Sequence, residues 1–335
     1  MTLLVRDEVD VIDAHLAFHM EAGVDLVIAM DHRSRDGTTD VLKEYEHDGH
    51  VVCIRQEADE VRQSEWVTGM ARLAASDYGA DWVINSDADE FFWPQARSLK
   101  EVLAFVPGSY GVVYAPMCHF VPRHAVGPFY DVMTVRLSET APINNPLSRH
   151  RPSLKAVHRG SPDVLVHRGN HEVERAGRRL TTWHPLEVLH YPDRSPEQFA
   201  RKYAHTVDAW PGEGREPGAF VLAAHAAVGS RGAEQAFQER ALTDAGVAEA
   251  LAAETVVIDP RLRDVLRRLR SSAGGFRRPP VREHGGLPPP TTAGRVHHAI
   301  DAGALLEADR IRLHRDVDDL EARVRALESR TSHRR

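Results

Sequence analysis

The stretch Asp81-Trp82-Val83-Ile84-Asn85-Ser86-Asp87-Ala88-Asp89-Glu90-Phe91-Phe92 decides how the rest of the chain is read. Trp82-Val83-Ile84 is a short apolar run, as a sheet strand covered on both faces requires. It leads directly into Asp87-Ala88-Asp89. In an extended segment residues i and i+2 point to one side, so both carboxylates can face a single cation. Magnesium or manganese held by one or two acids keeps coordination positions for substrate phosphates. A bare D-x-D is common as a polar surface turn. The buried strand before it and the aromatic pair after it favour the metal reading here.

Upstream of this stretch, strand and helix patterns alternate. Thr2–Val5 is a short apolar run that stops at Arg6-Asp7-Glu8. Residues 9–22 read as a helix with Val9, Ile12, Leu16 and Met20 near one face, and Gly23 stands where a left-handed residue usually ends one. Leu26–Met30 and Val51–Ile54 read as strands, and residues 62–77 as a helix carrying Trp66, Met70 and Leu73. The pattern is β-α-β-α-β over about 90 residues, which predicts right-handed crossovers and a mostly parallel sheet flanked by helices. In open sheets of this kind ligands bind beyond the carboxyl ends of the strands. Asp7-Glu8, Asp31 and Asp87-Asp89-Glu90 all sit at such ends, so independent strands deliver acids to one rim.

Composition bounds the function. The 335 residues are 42% hydrophobic and 27% charged, the balance of a globular protein with a sizeable core. No apolar run reaches the 18 residues of a membrane span. Two cysteines, Cys53 and Cys118, give no disulfide framework and suit a cytoplasmic protein. The net charge of −7 is spread unevenly: −12 over residues 1–100, −2 over 101–260 and +7 over 261–335. An acidic first third repels nucleic acid and suits a divalent cation. Only four of the 42 basic residues are lysine (43, 100, 155 and 202), which reads as compositional bias.

Beyond residue 115 the pattern loosens, with strand-like pieces at 131–137, 163–167 and 187–190. Ser195-Pro196-Glu197 starts a helix over 196–209, with further helix over 217–228, 232–253 and 260–270. Residues 271–295 hold five Pro and five Gly, a linker composition. Within the last segment, 296–335, Leu306, Leu313, Val317, Leu320, Val324 and Leu327 form a heptad seam about three repeats long. It reads as a coiled-coil helix that pairs two chains, or as a helix that docks on its own domain. The basic tail reads as solvated, or as a peripheral contact with a membrane.

Several of these segments together resemble the family 2 glycosyltransferases. They are Val5-Arg6-Asp7-Glu8, Phe18–Asp25, Met30–Thr38 with its Asp31-His32-Arg33-Ser34-Arg35-Asp36-Gly37 turn, and Asp81–Phe91. More narrowly they resemble the branch with a DxDEF signature and a later HYP-x-RS segment, here His190-Tyr191-Pro192-Asp193-Arg194-Ser195. The resemblance spans about residues 1–205 and implies a GT-A fold, a UDP- or GDP-sugar donor and a manganese or magnesium ion. It would make Asp31 a nucleoside ligand, Asp89 the firmer metal ligand, Asp87 a ribose or metal contact, and Glu8 a wall of the nucleotide pocket. Residues 1–270 would form the transferase domain: 1–115 the nucleotide-sugar half, 116–210 the acceptor half, 211–270 a helical buttress. The chain begins almost on its first strand, and the family's "NE" reads Asp7-Glu8. Asp36 reads as a helix cap.

The resemblance also implies a late histidine on the metal, with His190 and His171 as candidates. His167 and His171 have the spacing of a helical zinc pair, but Gly169-Asn170 interrupts any helix there and no HExxH follows. Sugar transfer with inversion needs a carboxylate to take the acceptor's proton, for which Glu172 is named ahead of Asp163. Lys155 and Arg194 could neutralise a diphosphate. The acceptor is a glycan, lipid or small molecule. A nucleotidyltransferase on a related fold, and a non-catalytic scaffold built around the coiled coil, are the alternatives.

Overall fold

The computed structural model describes residues 1–139, 141, 153–209, 219–270 and 275–276. Strands β1 (Thr2–Val5), β2 (Val27–His32), β3 (Val51–Gln56) and β4 (Trp82–Ser86) alternate with helices α1 (Ile12–Glu21), α2 (Thr38–His47) and α3 (Gln63–Ser76). The four strands lie parallel in the order β3-β2-β1-β4. The β2 run is buried at every position, which explains its unbroken apolar start. Gly23 follows α1 with φ +104°, the left-handed exit the sequence called for.

Next come β5 (Glu90–Pro94), α4 (Leu99–Ala104), β6 (Tyr110–His119), α5 (Phe129–Val132), β7 (Val135–Leu137) and β8 (Leu154–Arg159). They are followed by β9 (Leu165–Val166), β10 (Val173–Glu174), β11 (Arg178–Leu180) and β12 (Leu186–His190). β8 joins β4 antiparallel and extends the sheet as β4-β8-β6-β12-β5, with β11 beside β6. Five of the eight strand pairings in this nine-stranded sheet are parallel; β4–β8, β8–β6 and β12–β5 are antiparallel. The protein is thus a mixed α/β fold, with a curled central sheet flanked by helices.

The C-terminal described part is α6 (Pro196–Ala209), α7 (Ala219–Arg231), α8 (Ala233–Gln238), α9 (Asp244–Ala252), β13 (Val256–Ile258) and α10 (Arg261–Leu269). α10 buries Leu262, Val265, Leu266 and Leu269 on one face, each worth roughly 1.5–3 kcal/mol of transfer free energy. An aromatic cluster closes the core nearby. Tyr191 stacks on Phe120 at 4.2 Å between centroids and meets Phe91 and Phe129 edge-on at 5.7 and 5.2 Å.

Three expectations need correction. The strand over 131–137 begins as a helical turn, Phe129–Val132, because Pro128 sets the chain direction and its carbonyl accepts from Asp131 N and Val132 N. The helix over 232–253 is broken after Gln238, and Thr243 caps a new helix by accepting from Gly246 N. The linker's Phe276 is not free: it bridges Arg270 and packs against Tyr130 at 5.9 Å. The heptad seam lies outside the described residues. No helix among the described residues is long and apolar enough to cross a membrane.

Asp259 ties this C-terminal unit down. It lies buried between Arg261 (2.7 Å) and Arg136 (3.0 Å), and Arg261 also reaches Glu187 of β12 at 2.9 Å. Burial alone would raise the Asp259 carboxyl, but the two guanidinium groups more than offset it and hold its pKa at about 2. A carboxyl lowered on folding stabilises the fold fully above its unfolded pKa, and the gain disappears as pH falls through the folded value. Asp259→Asn is therefore expected to cost about 2–3 kcal/mol in urea unfolding at pH 7. The deficit relative to wild type should shrink between pH 4 and pH 2.

Candidate functional site

One strand, β12, assembles the site. It runs antiparallel to β5 and parallel to β6, and the register sets His190 opposite Glu90 on one side and His119 on the other. Asp89 immediately precedes β5, and its carbonyl accepts from Tyr191 N at 2.9 Å. Residues 70 to 100 positions apart in sequence are thereby fixed side by side by backbone pairing. One ligand atom from each of Asp89, Glu90 and His190 lies within 4.8 Å of the others, and all three residues are buried. Two carboxylates and an imidazole form a donor set that fits a divalent ion.

These groups open on a cavity of about 590 Å³ at the carboxyl ends of β1 and β4. Glu8, Asp87, Lys155, His171 and Lys202 share its wall, with Arg6, Arg168 and His205 at other points. The acids are not bare. Lys155 Nζ lies 2.8 Å from Asp87 Oδ2 and 2.7 Å from Glu90 Oε1. Lys202 Nζ lies 2.6 Å from Asp89 Oδ2. Burial alone would raise Asp89, yet Lys202, His190 and Arg194 hold its carboxyl well below the usual range. Glu90 goes the other way: burial raises it well above the usual range, more than Lys155 can offset. The two neighbouring acids are therefore driven apart, Asp89 downward and Glu90 upward.

His190 and His119 approach through their Nδ1 atoms at 2.9 Å, so one ring donates and the other accepts. When His190 is the donor, its Nε2, 3.6 Å from Asp89 Oδ2, presents a lone pair to the carboxylate cluster. His119 thus sets the tautomer of His190, as outer partners of metal-binding histidines do. Burial lowers the His190 pKa, which favours the neutral ring.

The remaining expected residues fall into three groups. His171 lines the cavity, its Nδ1 donating to Leu154 O at 2.8 Å. Its ring sits against Gly169, at φ +73°, where an added Cβ would come within 2.7 Å. His171 is not in the Asp89-Glu90-His190 group. Asp31 does not line the cavity. It is fully buried, accepting from Ser34 N, Thr39 Oγ1 and Arg55 Nη1. Successive strand residues face opposite sides, so it is His32 that reaches the cavity. Glu172 also lies off the cavity, at the start of β10, and accepts from Tyr114 OH at 2.9 Å. That placement does not support it as the acceptor's base, and Asp163 lies off the cavity as well.

Arg194 is a clamp. Its side chain is 1% exposed and pairs with Glu8 and with Asp10, Nε to Oδ2 at 2.7 Å, while Nη1 donates to Tyr191 O. It ties the loop after β1 to the segment after β12. Burial, opposed by Arg194, raises Glu8 to about 7. The expectation that Arg194 neutralises a diphosphate gives way to this internal use.

Sequence reasoning placed Glu90 among the rim acids without setting it beside His190, and it singled out neither His119 nor Lys202 for the site. The places of Glu90 and His119 beside His190 become visible only through strand pairing. The lysines left a signal: in a chain with four of them, two lie in this cavity.

No protein-family description matches this chain, and no curated protein sequence does. Solved structures with some likeness include S. aureus TarS 1–349, at 9% identity and TM-score 0.30, covering 69% of this chain and 71% of that one. The same protein in complex with UDP-GlcNAc scores 0.34 at 9% identity, covering 81% and 92%. A putative glucose-1-phosphate thymidylyltransferase from Bacillus anthracis scores 0.24 at 10% identity, covering 76% and 92%.

Removing the clamp leaves two carboxylates without their cation. Arg194→Ala is expected to lose about 3–5 kcal/mol in urea unfolding. Arg194→Lys should recover only part of it, because an ammonium cannot span Glu8 and Asp10 as the planar fork does.

Proposed function

We propose that this chain is a metal-dependent glycosyltransferase of the GT-A type, moving a sugar from a nucleotide-diphosphate donor to an acceptor hydroxyl. The observation that carries the reading is the convergence of Asp87, Asp89, Glu90 and His190 on one cavity at the carboxyl ends of parallel strands. The motif resemblance, DxDEF with HYP-x-RS, supports it independently: its two halves, far apart in sequence, meet through the β5–β12 pairing.

In this reading Asp89 and His190 hold a manganese or magnesium ion, with Asp87 toward the ribose or the ion. The ion supplies charge neutralisation for the leaving diphosphate. Glu8, at the end of the first strand, walls the nucleotide site. Lys155 pairs with both Asp87 and Glu90 and holds the two carboxylates in place. The acceptor hydroxyl oxygen bonds to the anomeric carbon as the bond to the diphosphate oxygen breaks, with inversion, while the hydroxyl proton passes to a carboxylate acting as base; the cavity orients the two reactants. The donor is a UDP- or GDP-sugar, and the acceptor is a glycan, lipid or small molecule. The free cysteines Cys53 and Cys118 suit a reducing, cytoplasmic setting.

Titration calorimetry of UDP and of GDP, each with and without manganese, tests the reading. One nucleotide should bind with manganese, and Asp89→Ala should weaken that binding tenfold or more. Folded wild-type protein that binds neither nucleotide would remove the donor assignment.

A further inference from the structure

Lys202 does more than line the cavity. Its ammonium donates to Asp89 Oδ2 at 2.6 Å and to Pro192 O at 3.0 Å. The same oxygen of Asp89 faces His190 Nε2 at 3.6 Å and Arg194 Nη1 at 3.9 Å. A divalent ion bound by Asp89 and His190 would need the position this ammonium holds. A divalent ion on the carboxylate oxygen that already holds the ammonium would meet a repulsion that a buried setting screens weakly. The three fixed elements differ in freedom. His190 is locked between β5 and β6, and Arg194 is held by Glu8 and Asp10. Lys202 stands on α6 with its side chain 26% exposed, on a flexible four-carbon stem that can swing into the cavity.

We propose that Lys202 is a tethered counter-cation that competes with the divalent ion for Asp89. The inference rests on the metal-site reading above and adds a control to it. With Lys202 seated, Asp89 is neutralised and the site takes up metal poorly. A nucleotide diphosphate in the cavity offers the ammonium a second anion and draws it off Asp89, which frees the carboxylate for the ion. Nucleotide and metal therefore bind with positive coupling, and Lys202 carries part of that coupling. The apparent metal affinity of the free protein is reduced by the fraction of molecules with Asp89 unoccupied.

The test is manganese binding followed by electron paramagnetic resonance of the free ion, with wild type, Lys202→Met and Lys202→Gln, each with and without UDP and GDP. Met keeps the length of the stem and Gln keeps a polar tip, and circular dichroism confirms folding of each. Without nucleotide, both variants should bind manganese on the order of tenfold more tightly than wild type. Added nucleotide should raise manganese affinity more in wild type than in either variant. Equal or weaker manganese binding by the folded variants, with nucleotide-dependent binding intact in wild type, overturns the proposal and leaves the metal site standing. Manganese bound by none of the three proteins under any condition overturns both.

Discussion

The placement of β12 between β5 and β6 is the constraint on which the rest depends. It is antiparallel to one neighbour and parallel to the other, so its last residue, His190, is set between Glu90 and His119. A slip of one residue in either pairing would turn His190 to the other face. The aromatic cluster around Tyr191 guards against such a slip. Tyr191 stacks on Phe120, the residue after β6, and contacts Phe91 of β5. Packing and chemistry are thus coupled: the residues that fix the register are immediate neighbours of those that form the site.

Charge is the second constraint. Five acids lie at or beside the cavity: Glu8, Asp10, Asp87, Asp89 and Glu90. Asp89 and Glu90 are buried, and unpaired carboxylates there would be costly. Arg194, Lys155 and Lys202 meet them from three different elements. Each cation, from the later part of the chain, pairs with acids of the first ninety residues, so the acidic first third is balanced at the cavity. Burial would raise both Asp89 and Glu90, but Asp89 meets Lys202, His190 and Arg194, whereas Glu90 meets Lys155 beside the like charges of Asp87 and Asp89, so the two shift in opposite directions.

The first ninety residues were legible because each element there carries its own signal. Apolar runs of strand length, a glycine helix exit and acids at three strand ends need no knowledge of the rest of the chain. Asp87, Asp89, His190 and Glu8, which strand ends and motif spacing mark in the sequence, line one cavity. Asp31 was misplaced for a simple reason. Its strand position was right, but side-chain alternation gave the cavity to His32. Glu172 was chosen by region alone, and a two-residue strand such as β10 has no pattern to show which way its neighbour faces. The grouping of Glu90, His119 and Lys202 with Asp89 and His190 depends on contacts between distant segments, which one sequence does not display.

The central claim is that strand register brings Asp89 and His190 onto one divalent ion. Anomalous diffraction at the manganese edge, from crystals grown with manganese and the nucleotide that binds, addresses it directly. The account predicts a single strong peak within coordination distance of an Asp89 carboxylate oxygen and His190 Nε2, with Lys202 moved off Asp89. A peak held by other residues, or bound nucleotide with no peak in this cavity, would contradict it.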